Sequence, residues 1–213
     1  MERGLIDGVR AHDLLRVTRL VHADDEPDWV RDAFALAPWV VVRRAVATRG
    51  LVAVGMRGKV RAQRFATWVN IKDIESIREP ETLRQSAPSH DRLALPAFAA
   101  LAALRATSSP LDDYVWGPTG SAGFELATGV HTVSGSSDLD LLIRMPEPPG
   151  AATLRALADT LAQAAVRAGT RVDAQLETPA GGVALSELAA GVPRVLARAD
   201  DGPRLIENPW CRS

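Results

Sequence analysis

The sequence predicts an α/β (α+β) protein, a mixed sheet with helices preceded by a small β-rich lobe. Three observations carry this. From Pro38 the chain runs through β-branched stretches broken at Gly50, Gly55 and Gly58, which reads as two or three strands with tight turns. From Tyr114 the order is strand, turn, short helix, strand, long helix, strand. "GAATLRALADTLAQAAVRAG" places Leu154, Leu157, Leu161 and Ala165 on one helical stripe and ends at Gly169, a C-cap.

The chain has 213 residues, enough for one large or two small domains with a real core. The boundary is expected at 88/89, giving an N-terminal β-rich lobe over 1–88 and a second, α/β domain over 89–213. "RAQRFATWVNIKDIES" is one more strand running into a turn, and the polar residues 73–92, with Pro80 and Pro88, read as a linker or short helix. "DRLALPAFAALAALRAT" is a helix with Pro96 near its start. In "YVWGPTGSAGFELATG" a short strand reaches a Gly/Pro turn. Ser121 stands as the N-cap of a two-turn helix that Gly129 closes. "SGSSDLDLLI" leads into a strand ended by Pro146. "TRVDAQLET" alternates as a strand, "VALSELAAG" is a short helix, "RVLARAD" a strand, and "GPRLIENPW" an extended tail.

Composition narrows the function. Lys and Arg number 25 against 26 Asp and Glu, so no overall charge favours nucleic acid or a membrane surface. No apolar run reaches the roughly 18 residues that span a bilayer, the amino end is charged, and Cys211 is the single cysteine. Cytoplasm is the expected location. Charge is uneven, however. Arg43, Arg44, Arg49, Arg57, Lys59, Arg61 and Arg64 follow one another with no acidic residue between them. Arg57, Lys59, Arg61 and Arg64 are candidates to grip an anionic substrate, since arginine matches phosphate bidentately; a solvated basic face is the plain alternative. Only Phe65 and Trp68 interleave there, too few for a single-strand nucleic-acid surface.

Asp138 and Asp140 are two apart and leave one face of an extended strand, where their charges repel. Asp173 lies on the strand after the long helix. If the two strands pair, three carboxylates converge beside Gly120 and Ser121, where a helix start offers free N–H groups to phosphate. Such a set suits Mg²⁺, which takes oxygen ligands and substrate phosphates, and the ion offsets the repulsion. His131 is a possible shuttle or a plain turn residue, and Trp116 and Phe124 pack or offer a stacking face.

Gly-Ser, helix, Asp-x-Asp strand and a later carboxylate resemble the nucleotidyltransferase pattern. "WGPTGSAGFELATG", "SGSSDLDLLIRMP", "VDAQLETPAGGVALSELA", "GPRLIENPW" and, in the front third, "VGMRGKVRAQRFATWV" resemble one family more closely. These are the phosphoribosyl-dephospho-CoA transferases of malonate decarboxylase, also called its holo-acyl-carrier-protein synthases. "GFELATG" with "DAQLETP" is the specific part, and residues 1–37 carry little of it. The resemblance implies transfer of phosphoribosyl-dephospho-CoA from 2'-(5''-triphosphoribosyl)-3'-dephospho-CoA to a serine of the malonate decarboxylase acyl carrier protein, with release of diphosphate. It implies Mg²⁺ on Asp138 and Asp140, Asp173 as third ligand or as acceptor of the serine proton, and Gly120, Ser121, Ser136 and Ser137 in contact with the triphosphate. A different hydroxyl acceptor, or a non-catalytic nucleotide-binding regulator, are the alternatives.

Overall fold

A computed structural model describes residues 8–46, 48–58, 62–106 and 108–211. They form two compact units, dividing between Glu79 and Pro80. The sequence expectation of 88/89 lies nine residues later. The turn at Pro80–Gln85 packs on strand Val115–Pro118, so these polar residues belong to the second unit.

The first unit is a five-stranded antiparallel sheet of β1 (Leu14–Val17), β2 (Trp39–Val42), β3 (Leu51–Arg57), β4 (Arg64–Asn70) and β5 (Ile74–Arg78), in the order β4-β3-β2-β1-β5. Helix α1 (Asp28–Leu36) buries Val30 against Leu15, Val17, Val40, Val42, Val54, Met56 and Val69. Two elements differ from the sequence reading. Ile74–Arg78 is a strand, not linker. It pairs with β1, itself a four-residue strand too short to show a period.

The second unit begins with helix α2 (Pro96–Ala106), where Pro96 takes the first helical position, free of any need for an N–H. Strands β6 (Val115–Pro118), β7 (Leu139–Arg144), β8 (Val172–Thr178), β9 (Gly181–Ala184), β10 (Val195–Ala199) and β11 (Gly202–Ile206) make one sheet in the order β11-β10-β9-β8-β7-β6. All of its pairs are antiparallel except β7 with β8. Parallel neighbours need a long crossover, supplied here by helix α4 (Ala151–Ala168), which follows helix α3 (Gly120–Thr128) in the chain. Leu154, Leu157, Leu161 and Ala164 of α4 are buried; the stripe closes on Ala164 where the spacing predicts Ala165. Gly129 and Gly169 end α3 and α4 at φ +74° and +68°, as the sequence predicts. The core joins that stripe to Phe98, Leu101 and Leu104 of α2 and to Leu139, Leu141 and Ile143 of β7. β9 precedes the short helix α5 (Leu185–Ala189), and the expected tail is instead strand β11, antiparallel to β10. Trp210 then packs against the core and donates from Nε1 to the Met145 carbonyl at 3.0 Å. No helix among the described residues is long and apolar enough to cross a membrane.

Candidate active site

The parallel pair decides where the carboxylates go. Both strands enter the sheet from the same end, and Asp140 lies directly opposite Asp173. In a parallel ladder such partners share a face, and alternation puts Asp138 on that face too. One oxygen from each of Asp138, Asp140 and Asp173 lies within 4.8 Å of the others. Asp138 and Asp140 are half-buried and Asp173 is exposed. Three hard oxygen donors that close match what a divalent cation such as Mg²⁺ takes.

The α3 start is built against this cluster. The Thr119 N–H donates to the Asp140 carbonyl at 2.8 Å. Gly120 has φ +58°, and a Cβ there would lie 2.2 Å from the Asp140 Oδ2, so backbone conformation and carboxylate both require glycine. Ser121 is buried in the first turn of α3 and is not its N-cap; Thr119, extended at φ −123°, holds that position. Gly120 and Ser121 thus stand beside Asp140, with the positive end of α3 directed there. Trp116 is buried in the core with the Arg84 guanidinium 4.8 Å above its ring, which leaves it no face for a base.

The serine loop before β7 is held from two sides. The Ser137 Oγ accepts from the Ser134 N–H at 2.9 Å, and the Ser134 Oγ lies 3.2 Å from the Ser136 Oγ. Thr170 donates to the Ser137 carbonyl at 2.9 Å, tying the loop to the start of β8. Ser136 is exposed, Ser137 half-buried and next to Asp138, and His131 exposed earlier in the same loop.

Two functional groups were not anticipated from sequence. Glu125 of α3 is buried, and both its oxygens accept from Arg92. Its Oε2 also accepts the N–H groups of Thr132 and Val133 at 2.7 and 2.8 Å, while Arg92 donates to the Val133 carbonyl at 2.6 Å. Burial pushes this carboxyl up, but Arg92 and the Val133 and Thr132 amides outweigh it and hold it below its ordinary range. Glu125 therefore fixes the chain that leads to Ser136, Ser137 and Asp138, and it is the acidic residue inside "GFELATG". Its partner is 33 residues away, so no local pattern announces it.

The second is Arg171. Its Nη2 lies 2.9 Å from Asp138 Oδ2 and its Nε 2.8 Å from Asp173 Oδ2, and these charges raise its pKa above the ordinary arginine value. Here a signal existed: Arg171 and Asp173 are two apart in an alternating segment.

The cationic residues lie in the first unit. Arg57 and Arg64 face each other across β3 and β4. Lys59 and Arg61 lie outside the described residues.

Two family models match. Residues 10–80 match the phosphoribosyl-dephospho-CoA transferase MdcG N-terminal domain, and residues 82–209 its C-terminal domain. The chain is similar to the phosphoribosyl-dephospho-CoA transferase of Pseudomonas putida strain GB-1, 45% identical over 204 residues that cover 94% of this chain and 95% of the relative. That of Pseudomonas aeruginosa PAO1 is 46% identical over 205 residues, 95% and 94% of the two chains. No solved structure matches significantly. With its matched domains spanning both units and these relatives covering nearly its whole length, the chain belongs to the phosphoribosyl-dephospho-CoA transferase family and is a transferase.

Proposed function

We propose that this enzyme moves the phosphoribosyl-dephospho-CoA group of 2'-(5''-triphosphoribosyl)-3'-dephospho-CoA onto a serine hydroxyl of the malonate decarboxylase acyl carrier protein in the cytoplasm. The observation that carries the reading is the Asp140–Asp173 register with Asp138 beside it, next to the Gly120–Ser121 helix start. The serine Oγ attacks the phosphorus attached to the ribose 5'' oxygen, the bond to the outer two phosphates breaks, and diphosphate leaves with the electron pair. The serine proton passes to a base. Little covalent chemistry falls to the protein in such a transfer; alignment and charge stabilisation supply the rate.

Asp138, Asp140 and Asp173 would hold Mg²⁺, which supplies neutralisation of phosphate charge and alignment of the reacting oxygens. Asp173, the most exposed of the three, is the member able to take the serine proton instead. The N–H groups at Gly120 and Ser121 and the hydroxyls of Ser136 and Ser137 bind phosphate oxygens. Arg57, Lys59, Arg61 and Arg64 bind further anionic groups of the substrate, since arginine matches phosphate bidentately.

The acceptor is tested by intact-mass spectrometry of the carrier protein after incubation with enzyme, substrate and Mg²⁺. The expected result is one added phosphoribosyl-dephospho-CoA group, mapped to a serine and lost when that serine becomes alanine. An unmodified carrier, with diphosphate released to a different hydroxyl compound, overturns this acceptor.

A further inference from the structure

The carboxylate cluster already contains a cation, and nothing in the reaction above uses it. Arg171 bridges Asp138 and Asp173 through Nη2 and Nε, which lie on one edge of the guanidinium. That edge ordinarily meets a single carboxylate bidentately. Here it is divided between two, so the arginine answers the charge of the cluster and not the geometry of one partner.

Its surroundings separate a fixed backbone from a movable side chain. The Arg171 carbonyl accepts from the Leu139 N–H at 2.9 Å, and Thr170 donates to the Ser137 carbonyl at 2.9 Å. The main chain is pinned to the entry of β7 on both sides of the site. The side chain is 68% exposed, however, and ion pairs in that much water are weak. A divalent ion on the same carboxylates carries twice the charge and costs little to exchange for them.

Resting on the metal reading of the cluster, we infer that Arg171 is a resident counter-cation that trades places with the divalent ion. Without metal it offsets part of the charge of Asp138 and Asp173 and keeps the β7 and β8 entries together. When the ion takes those carboxylates, the guanidinium loses both partners while its backbone stays in place. Five N–H donors are then presented at the mouth of the site, where a polyphosphate is the matching anion. Arg171 thereby couples the two loadings: it opposes metal binding alone and favours substrate phosphate once metal is bound.

The coupling has opposite signs for two ligands, which a purely structural ion pair does not produce. The test measures Mn²⁺ binding, by electron paramagnetic resonance with no nucleotide present, for the wild type, Arg171→Ala, Arg171→Lys and Asp138→Asn. It then measures inorganic triphosphate binding to each Mg²⁺-loaded protein. Arg171→Ala is expected to bind Mn²⁺ about threefold to tenfold more tightly than wild type and triphosphate about tenfold more weakly. Arg171→Lys should fall between the two in both measurements. Thermal unfolding adds a readout that folding defects do not mimic: Mn²⁺ should raise the midpoint of Arg171→Ala by more than that of wild type. Unchanged or weaker Mn²⁺ binding by a folded Arg171→Ala overturns the inference while leaving the metal reading intact. Mn²⁺ binding that is the same in wild type, Arg171→Ala and Asp138→Asn removes the metal reading itself, and the inference with it.

Discussion

Among the described residues, two strand pairs set like charges face to face, and the protein treats them differently. In β7–β8 Asp140 stands opposite Asp173; in β3–β4 Arg57 stands opposite Arg64. Directly opposed like charges destabilise a sheet. The carboxylate pair lies on two interior strands of the six-stranded sheet, and Arg171 is set against it. The arginine pair lies where β4 forms the edge of its sheet, with Arg64 exposed to water. Topology explains the difference. Parallel strands begin at one end, so residues at their entries gather and repel whatever solvent does. An antiparallel hairpin brings the end of one strand to the start of the next, at an edge that water screens. The first arrangement demands a cation, which Arg171 supplies.

The largest expected effect tests the demanding pair. Asp138→Asn and Asp140→Asn should each lower turnover by about a thousandfold or more with circular dichroism unchanged, because each would remove a ligand for the proposed charge-stabilising ion. Transfer near the wild-type rate by either variant would break the contrast at once. Next comes the support beneath it. Glu125→Gln leaves the half-buried Arg92 without its counter-charge and should cost about 3 kcal/mol of unfolding free energy, read from denaturant midpoints. The same pair predicts a pH dependence. Glu125 has a folded pKa below its unfolded value of about 4.3, so its stabilisation is complete above that value and is lost as pH falls beneath it. Acid titration of the wild type should lose this contribution, while Glu125→Gln should show a correspondingly flatter profile below pH ~4.3.

Asp173→Asn should lower turnover by roughly a hundredfold, about 2.7 kcal/mol in barrier. Raised Mg²⁺ that recovers part of the loss identifies a ligand; a loss insensitive to Mg²⁺ identifies the proton acceptor. The smallest effect belongs to the edge pair. Neutralising Arg57 and Arg64 together should raise KM for the nucleotide substrate about tenfold, as lost charge-assisted hydrogen bonds do. If the cost appears instead as slower association with the carrier, reproduced by added salt, the pair docks protein. Kinetics equal to wild type for both substrates return it to a solvated face.

How much of this was legible follows from the range of each signal. Asp138 and Asp140 announce a shared face by spacing alone, and α4 between them and Asp173 announces the parallel pair that unites them. Gly129 and Gly169 mark helix ends because left-handed backbone selects glycine. Ser121 misled, since Thr119 and Ser121 are both cap formers and only the extended backbone at Thr119 separates them. Ile74–Arg78 was hidden because its partner, Leu14–Val17, is remote and only four residues long. Arg171 was readable by alternation with Asp173. Glu125 was not, since its meaning depends on Arg92 and on amides that only the folded loop delivers.

One assay reaches the proposed metal dependence of transfer at the β7–β8 entries directly. Carrier-protein mass is followed with chelator-treated enzyme, with Mg²⁺ restored, and with Asp140→Asn under the same additions. The expected result is no added group after chelation, full modification when Mg²⁺ returns to the wild type, and none with Asp140→Asn at any Mg²⁺ concentration. Modification that persists in chelator, or that Asp140→Asn carries out as fast as wild type, would contradict it.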